Sequence, residues 1–498
     1  MDTQVKIKPK KGEKPQGHGP QDHAGMHHGY GRREYQPVPQ GPVFKPGKFG
    51  RMFPELPPMA ADTAALDALA AAMLDADGNQ SGDNPAVPAG FTYFGQFVDH
   101  DVTFDPTTMP EVAIDPQTVF NFRTPKLELD SLYGSGPDLD PFLYQPDDPA
   151  LFALGSTGQG QGDPALPVGF PNDLPRFNKI ALIGDPRNDE NLAVAQTHLA
   201  FLKFHNKIVA TLRADGTPAA QLFDAARKLT TWHYQKIVLE DFIGRLVDPA
   251  EMADVRQNGR KFFLFADEPF IPVEFSVAAY RLGHSMVRQF YNFNRVFRFG
   301  GVTPASLALL FRFTRLSGGG ADVPVPSDWI IDWRRFYDFN APGVEVNPTR
   351  KIDPFLVQEL HTLPGGGGSL PQRNLVRGLR MGLPSGQAVA ARMGFAPLTP
   401  AEIGDGPDGQ VATAQGLTQQ TPLWYYILKE ALVQQDGLRL GKVGSRIISE
   451  VFVGMLEGDP NSFLAQDPTW TPTLPRANND TFTMVDMLTF VDEINPIN

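Results

Sequence analysis

The sequence predicts a mainly α fold, with one large helical domain, long loops and a few short strands. Three observations lead to this prediction. Long stretches place apolar residues at the three- and four-residue spacing of amphipathic helices. Runs with the two-residue alternation of a strand are few and short. No break separates two self-contained patterns along the 498 residues, although 48 Gly and 47 Pro indicate many turns.

The first predicted helix is an Asp-capped segment, DTAALDALAAAMLD, at residues 62–75. A loop-rich region at 105–175 separates it from the long helices. The predicted ranges are 191–213, 218–246 and 275–291 for the long helices, and 304–315, 354–361, 401–404, 423–434 and 440–456 for the others. The segment KFFLF at 261–265 is the best candidate for a strand.

Charge divides the chain near residue 50. Residues 1–50 contain nine Lys or Arg and four Asp or Glu, so they carry +5, whereas the remainder carries −17. We expect a basic, flexible arm over 1–50 and a single domain over 51–498. Four histidines of the arm are expected to lie in a solvated tail: His18, His23, His27 and His28. The acidic body argues against a nucleic-acid partner.

Composition also bears on location. No window approaches 18 consecutive apolar residues, so no membrane span is expected. The basic start has no apolar stretch after it and does not resemble a secretory signal. With no cysteine, disulfides and thiolate chemistry are excluded. We therefore expect a soluble protein, either cytoplasmic or secreted without a Sec-type signal peptide.

The stretch GQFVDHDVTF at 95–104 is unusually polar for a segment that looks buried. On a helix, Gln96 and His100 are four residues apart and lie on one face, with Asp99 three residues from Gln96. Asp101 points about a quarter-turn away from His100. A capped helix with a satisfied buried histidine explains this pattern as well as a functional site does.

Three further segments carry polar residues in helical settings. DPRNDEN at 185–191 places Arg187 and Glu190 three residues apart, at the start of a long helix. YRLGHS at 280–285 places His284 on an otherwise apolar face, where a histidine is more often core than ligand. Asn374 lies in LPQRNLVRGLRMGLP, at 370–384. None of these segments is specific by itself.

Together, in this order and with this internal spacing, the four segments resemble the motifs of the animal-type haem peroxidases, the peroxidase–cyclooxygenase superfamily that also has bacterial members. The motifs extend from about residue 94 to 384. The resemblance implies a helical haem-peroxidase domain containing haem b and calcium. It implies oxidation of small anionic or aromatic donors by hydrogen peroxide through a high-valent iron-oxo intermediate, and a role in the response to oxidative stress.

The resemblance also assigns roles to residues. His284 would be the proximal ligand of the haem iron, Asn374 would hold its other ring nitrogen, and Arg281 would pair with a haem propionate. On the distal side, His100 would move the peroxide protons and Arg187 would stabilise the departing oxygen. Gln96, one turn from His100, would orient peroxide, water or a halide.

Three carboxylates, Asp99, Glu190 and Asp101, match further family positions. Asp99 and Glu190 correspond to the residues that form ester bonds to haem methyl groups. Asn191 stands where some members have a methionine that forms a third link, so no third link is expected. Asp101 corresponds to the first ligand of a structural calcium. The remaining calcium ligands would be Thr124, Lys126 through its carbonyl oxygen, Glu128 and Asp130.

Two other functions remain open. A fatty-acid dioxygenase of the cyclooxygenase type uses a tyrosine three residues before the proximal histidine. Here that position is Arg281, with Tyr280 one residue further back and expected to face elsewhere. A haem-binding protein with an inactive site would need neither His100 nor Arg187. The oligomeric state cannot be read from the sequence, and His198 and His205 are expected to be packing or hydrogen-bonding residues.

Overall fold

The computed structural model describes residues 47–75, 80–104, 120–478 and 481–498. Apart from residues 47–50, the predicted basic arm and its four histidines lie outside these ranges. The seventeen α-helices of the described residues are α1 Thr63–Ala72, α2 Gly90–Val102, α3 Asp130–Tyr133, α4 Leu192–Ala214, α5 Ala219–Lys236, α6 Ile243–Leu246, α7 Pro249–Asn258, α8 Leu307–Arg312, α9 Gln358–His361, α10 Leu370–Arg380, α11 Gly386–Met393, α12 Pro400–Ile403, α13 Gly406–Ala414, α14 Leu423–Gln435, α15 Lys442–Glu457, α16 Phe463–Gln466 and α17 Met484–Val491.

Strands are short and form small sheets. They are β1 Gly47–Gly50, β2 Leu74–Asp75, β3 Asp83–Pro88, β4 Phe120–Asn121, β5 Tyr144–Gln145, β6 Asp148–Phe152, β7 Arg176–Phe177, β8 Ile180–Ala181, β9 Ile271–Pro272, β10 Phe290–Tyr291, β11 Ala305–Ser306, β12 Pro348–Arg350 and β13 Leu356–Val357. β1 is antiparallel to β4 and parallel to β9, and the other sheets have two strands each. The predicted fold class, mainly helical with few short strands, is confirmed.

The long helices agree with the sequence pattern. α4, α14 and α15 lie within two residues of their predicted bounds. The predicted helix over 218–246 is also continuous, but it passes from α5 through a π-helical segment, Ile237–Phe242, into α6. Among the described residues, no helix is both long enough and apolar enough to cross a bilayer.

Two predictions were wrong. The helix over 275–291 ends at His284 and is irregular, with a π-helical segment, Glu274–Ala278, followed by a 3-10 segment, Ala279–His284. Beyond it the chain turns into β10, which pairs with β11. The segment 261–265 is not a strand, because the buried carboxylate of Glu450 accepts the backbone N–H groups of Lys261, Phe262 and Phe263 that a neighbouring strand would otherwise take.

Candidate active site

α2 is held by aromatic packing on one side. Phe94 and Phe97 both stack on Phe201 of α4, with ring centroids 6.0 and 4.9 Å apart. Tyr234 of α5 meets both rings edge-on, and all four side chains are buried. Such contacts add to the stabilisation that burial itself provides. They fix the rotation of α2, whose other side faces a cavity.

The space between the walls of this cavity is about 1000 Å³, which includes the part that is open to solvent. Four predicted site residues contribute to its lining, namely Gln96, Asp99, Glu190 and His284. Most of the remaining wall is apolar, as in Phe91, Phe242, Leu282, Met286, Leu307 and Phe311. A large apolar cavity with a few convergent polar groups is the usual form of a cofactor or substrate site.

His100 is fully buried and does not itself line the cavity. Its Nδ1 lies 2.8 Å from Oδ1 of Asn188, and its Nε2 lies 3.9 Å from Oε2 of the cavity-lining Glu190. Burial, and next the positive charge of Arg187, lower the pKa of His100 to about 3. The imidazole is therefore neutral at neutral pH, as a proton acceptor must be.

Arg187 is directed toward the C-terminal end of α2 and does not line the cavity. Its Nε and Nη2 bind the carboxylate of Asp185. Nη2 also donates to the carbonyl oxygens of His100 and Thr103, at 3.0 and 2.6 Å, and the guanidinium lies 4.5 Å from the ring centre of Phe104. Arg187 thus anchors the helix end and affects the site through its charge.

Asp185 and Arg123 complete this buried group, and the sequence did not single out either residue. Asp185 accepts from Nη2 of Arg123 at 2.6 Å as well as from Arg187. Burial raises the pKa of Asp185, but the two guanidiniums more than offset this and hold it far below its usual range. Asp185 also accepts the backbone N–H of Arg187 at the start of a 3-10 segment, Pro186–Asp189, a capping role that its position before Pro186 could have suggested.

Two neighbours fix the side-chain amide of Gln96. Its Nε2 donates to Oε2 of Glu190 at 3.1 Å, and its Oε1 accepts from Nδ2 of Asn191 at 2.8 Å. Asn191 is held in turn, because its Oδ1 accepts the N–H of Val194 and caps α4. The amide of Gln96 therefore presents one defined orientation to the cavity.

Asp99 and Glu190 are carboxyl groups on the cavity wall, and Glu190 is buried whereas Asp99 is partly buried. Burial raises the pKa of Asp99, and it raises that of Glu190 well above the usual range. Asp99 accepts from Oγ1 of Thr103 at 3.0 Å. Both groups are accessible to a molecule that fills the cavity.

His284 lies at the end of its 3-10 segment and lines the same cavity. Burial, followed by the charges of Arg281 and Arg373, lowers the pKa of His284 to about 3, so the ring is neutral. Nδ2 of Asn374 contacts its Nδ1 at 2.9 Å, and Oδ1 of Asn374 accepts from Nη1 of Arg281 at 3.2 Å. A metal on Nε2 needs the proton on Nδ1, which requires the amide of Asn374 to turn by 180° and Arg281 to release its oxygen.

The predicted cation loop contacts α2. Asp101 accepts from the N–H of Leu129, the hydroxyl of Ser131 and the hydroxyl of Tyr234, at 3.1 to 3.2 Å. Burial raises the pKa of Asp101 to about 6 and that of Asp130 well above its usual range. Both carboxylate oxygens of Asp130 are buried and make no hydrogen bond within the described ranges.

The side chains of three other predicted cation ligands, Thr124, Lys126 and Glu128, do not converge on one point. Thr124 donates to Glu128, and Nζ of Lys126 lies 3.9 Å from Asp459. Within the part of the chain that the structure describes, no three His, Cys, Asp or Glu side chains converge as a metal site. A site built from Thr124 and a carbonyl oxygen of Lys126 would not form such a cluster. Buried polar atoms are nearly always hydrogen-bonded, so the two carboxylate oxygens of Asp130, which make no hydrogen bond within the described ranges, are better explained by a bound cation.

Other predicted residues have structural partners. His205 contacts the hydroxyl of Tyr133 and the carbonyl oxygen of Ala150, both at 2.9 Å, as expected of a packing residue. His198 contacts Asn188. Tyr280, expected to face elsewhere, lines the cavity and donates to the carbonyl oxygen of Gly95 at 3.1 Å.

Residues 105–307 match the family model of the animal haem peroxidase domain. A peroxidase-like protein of Margaritifera margaritifera is 28% identical over an alignment of 275 positions, which covers 45% of this chain and 34% of that protein. Human eosinophil peroxidase is 25% identical over an alignment of 228 positions, which covers 42% of this chain and 29% of that protein. The matches thus span about a third or less of these curated relatives.

Two solved structures share the fold. Peroxidase A from Dictyostelium discoideum has a TM-score of 0.61 at 15% identity, covering 86% of this chain and 90% of that one. A fatty acid alpha-dioxygenase from Oryza sativa has a TM-score of 0.57 at 13% identity, covering 88% and 78%. At these identities the likeness concerns the fold alone. The family model over residues 105–307, the curated relatives and the shared fold thus agree in making this chain similar to the animal haem peroxidases.

Proposed function

We propose that residues 51–498 form a haem peroxidase that uses hydrogen peroxide to oxidise halides, thiocyanate or aromatic molecules. One observation carries the proposal. A single cavity is lined by a neutral, amide-held His284 and by Gln96, and a neutral His100 lies directly beyond the cavity-lining Glu190. An axial ligand and an acid–base histidine around one apolar cavity are the parts that peroxide cleavage needs.

The described residues fit a haem. His284 offers a neutral imidazole that would hold the iron once Asn374 turns its oxygen toward Nδ1, and Arg281, released from Asn374, would pair with a propionate. The apolar wall suits the porphyrin ring. Bound haem supplies the iron at which peroxide is cleaved and from which donors are oxidised.

The chain's own residues carry the proton chemistry. Nε2 of His100 accepts the proton of the near peroxide oxygen and returns it to the far oxygen. Arg187 stabilises negative charge from its position beside His100, bound to Asp185, and not by direct contact with the cavity. Gln96, held by Glu190 and Asn191, orients the small molecule in the cavity.

Stopped-flow mixing of the purified holoprotein with hydrogen peroxide tests this proposal. We expect a rapid change in the haem spectrum, reversed by successive addition of bromide, iodide, thiocyanate or phenol. The acidic body gives no general attraction for anions, so the rates with these donors identify the preferred class. A holoprotein with a Soret band that does not react with peroxide would overturn the assignment.

Covalent haem attachment is a further part of the proposal. Asp99 and Glu190 both line the cavity, so both carboxyl groups would be accessible to a haem methyl group for ester formation. After maturation with peroxide, acid–acetone extraction should leave haem on the protein, and Asp99→Asn combined with Glu190→Gln should release it. Intact free haem from the wild-type protein would exclude the links.

A bound calcium is supported by the buried carboxylate of Asp130, which lies near Asp101, makes no hydrogen bond within the described ranges and has Nη1 of Arg123 3.6 Å away. Oxygen donors from Thr124, Lys126 and Glu128 would complete a coordination set that calcium prefers. Chelation should lower the melting temperature and alter the haem spectrum, because Asp101 follows His100 directly on α2. If chelation changes neither property, the calcium assignment fails.

A fatty-acid dioxygenase remains the second candidate, and one observation favours it. Tyr280 lines the cavity, although it lies four residues before His284 rather than three. A dioxygenase should consume oxygen with an unsaturated fatty acid in the absence of added peroxide, and Tyr280→Phe should abolish this uptake. Peroxidase turnover that is unaffected by Tyr280→Phe, with no oxygen uptake, excludes this alternative.

A further inference from the structure

Asn188 joins two buried histidines. Its Oδ1 lies 2.8 Å from Nδ1 of His100, and its Nδ2 lies 3.0 Å from Nδ1 of His198. All three side chains are fully buried. The motif resemblance assigns roles to Arg187 and Glu190 in the same segment but none to Asn188.

An amide has fixed polarity, since its oxygen only accepts and its nitrogen only donates. Oδ1 of Asn188 therefore requires a hydrogen on Nδ1 of His100, which leaves Nε2 of the neutral ring unprotonated. Nδ2 of Asn188 requires a bare Nδ1 on His198, whose proton then sits on Nε2. Nε2 of His100 is the nitrogen that lies 3.9 Å from Oε2 of the cavity-lining Glu190.

We propose that Asn188, oriented by His198, is a positioning residue that holds His100 in the tautomer able to accept a proton at Nε2. The inference rests on the proposed peroxidase function. When Nε2 takes up a proton, the bond from Nδ1 to Oδ1 of Asn188 becomes charge-assisted and stabilises the imidazolium. The amide thus acts on the reaction through His100 without touching the reactants.

The surroundings of His100 agree with a neutral ring. The charged groups near the ring are Arg187, Asp185, Arg123 and Glu190. Arg187 belongs to the 3-10 segment, Asp185 caps that segment, and Arg123 lies in the loop before α3. His198 is connected to the ring through Asn188. Arg187 and Arg123 both donate to the carbonyl oxygen of His100, which fixes the backbone of the residue. The ring rotation is fixed by Asn188.

Two variants of Asn188 distinguish an effect on the tautomer of His100 from an effect on packing alone. Asn188→Leu fills a similar volume without an acceptor. Asn188→Asp keeps an oxygen toward Nδ1 of His100 but also presents an oxygen to His198, which must then move its proton from Nε2 to Nδ1. Nε2 of His198 has no hydrogen-bond partner within the described ranges, so this change is open to it.

The first measurement is nitrogen-15 NMR of histidine-labelled holoprotein in its diamagnetic ferrous carbon monoxide form. The chain has only ten histidines, and His100→Gln and His198→Gln assign the two signals. Wild type should show His100 protonated on Nδ1 and His198 on Nε2. Asn188→Leu should give mixed tautomers for His100, and Asn188→Asp should keep that of His100 and switch that of His198.

The second measurement compares two rates. The peroxide rate of Asn188→Leu should fall about 10- to 100-fold, as expected for the loss of one hydrogen bond to a group that becomes charged. Asn188→Asp should recover most of this loss. Carbon monoxide association with the ferrous protein, which needs no proton transfer, should stay within about twofold in both variants. Asn347→Leu, which deletes a buried amide in another loop, is the matched control and should leave both rates unchanged.

The outcomes are distinct. A wild-type His100 protonated on Nε2, or an Asn188→Leu variant with unchanged tautomer and peroxide rate, overturns the inference. Equal losses in the peroxide and carbon monoxide rates would reduce Asn188 to a packing residue. The expected tautomers in a wild-type protein that does not react with peroxide would sustain the hydrogen-bond assignment and refute the peroxidase function.

Discussion

The carboxylate of Asp185 offers a direct test of the buried charge group behind the cavity. It is inaccessible to solvent and binds two guanidiniums, those of Arg123 and Arg187. Asp185→Asn keeps the size of the side chain and removes its charge, leaving two buried cations without their shared partner. Removing one member of a buried charge pair destabilises a protein by about 3–5 kcal/mol, and we expect a loss in this range.

Asp322→Asn is the matched control. Asp322 also binds an arginine through two hydrogen bonds, but its partner Arg312 is half exposed, with a side chain 50% accessible. An exposed pair contributes about 0–1 kcal/mol. Urea unfolding followed by circular dichroism, with one denaturant slope fitted to both variants, measures the two losses. Equal losses of unfolding free energy in the two variants would mean that the destabilisation by Asp185→Asn does not come from burial of the charge.

The pH dependence gives an independent check on Asp185. Its folded pKa lies far below the value of about 3.9 for an unfolded aspartate. Above about pH 5 its stabilisation is fully present, and as the pH falls below about 4 the unfolded chain alone takes up the proton. Wild-type stability should then fall by up to about 1.4 kcal/mol per pH unit because of this group. The difference between wild type and Asp185→Asn should therefore narrow toward pH 3, and a constant difference would refute the reasoning.

Three further predictions concern the site and the core. His100→Ala should lower the peroxide rate by about 10²–10⁴-fold while the Soret band persists, and stopped-flow spectra measure both. Phe97→Ala should cost about 3–5 kcal/mol of unfolding free energy, because the ring is fully buried and stacked, whereas Phe177→Ala, 66% exposed, should change it by less than about 0.5 kcal/mol. Glu450→Ala should speed hydrogen exchange at the amides of residues 261–263, because their shared acceptor is lost. Unchanged exchange at these amides would contradict the explanation for their irregular backbone.

Sequence periodicity was sufficient for the regular helices. α4, α14 and α15 carry enough amphipathic turns for the apolar spacing to identify them. It failed for 275–291, because the π-helical and 3-10 segments before His284 have five- and three-residue hydrogen bonding, which the spacing of an α-helix does not describe. It failed for 261–265 because the partner of that backbone, Glu450, lies about 190 residues away in the sequence.

The candidate site also contains features that the sequence could predict and features that it could not. Gln96, Asp99, Glu190 and His284, which were selected from the motifs, line one cavity, and their roles stay predictions. The direction of Arg187 could not be predicted, since it depends on Asp185 and on carbonyl oxygens at the end of a different helix. Spacing within one segment determines which residues share a face, whereas side-chain direction depends on contacts between segments.

Arg123 connects the two parts of the site that the sequence treated separately. Its Nε donates to the carbonyl oxygen of His100, its Nη2 binds Asp185, and its Nη1 lies 3.6 Å from Asp130 in the predicted cation loop. A cation bound beside Asp130 would compete with Arg123 for that carboxylate and strengthen the hold of Arg123 on Asp185. Because Asp185 also binds Arg187, charge in the loop is transmitted to the residue that sets the electrostatic environment of His100. The loop and His100 therefore form one electrostatic unit, linked by a buried arginine that lies outside all four motifs.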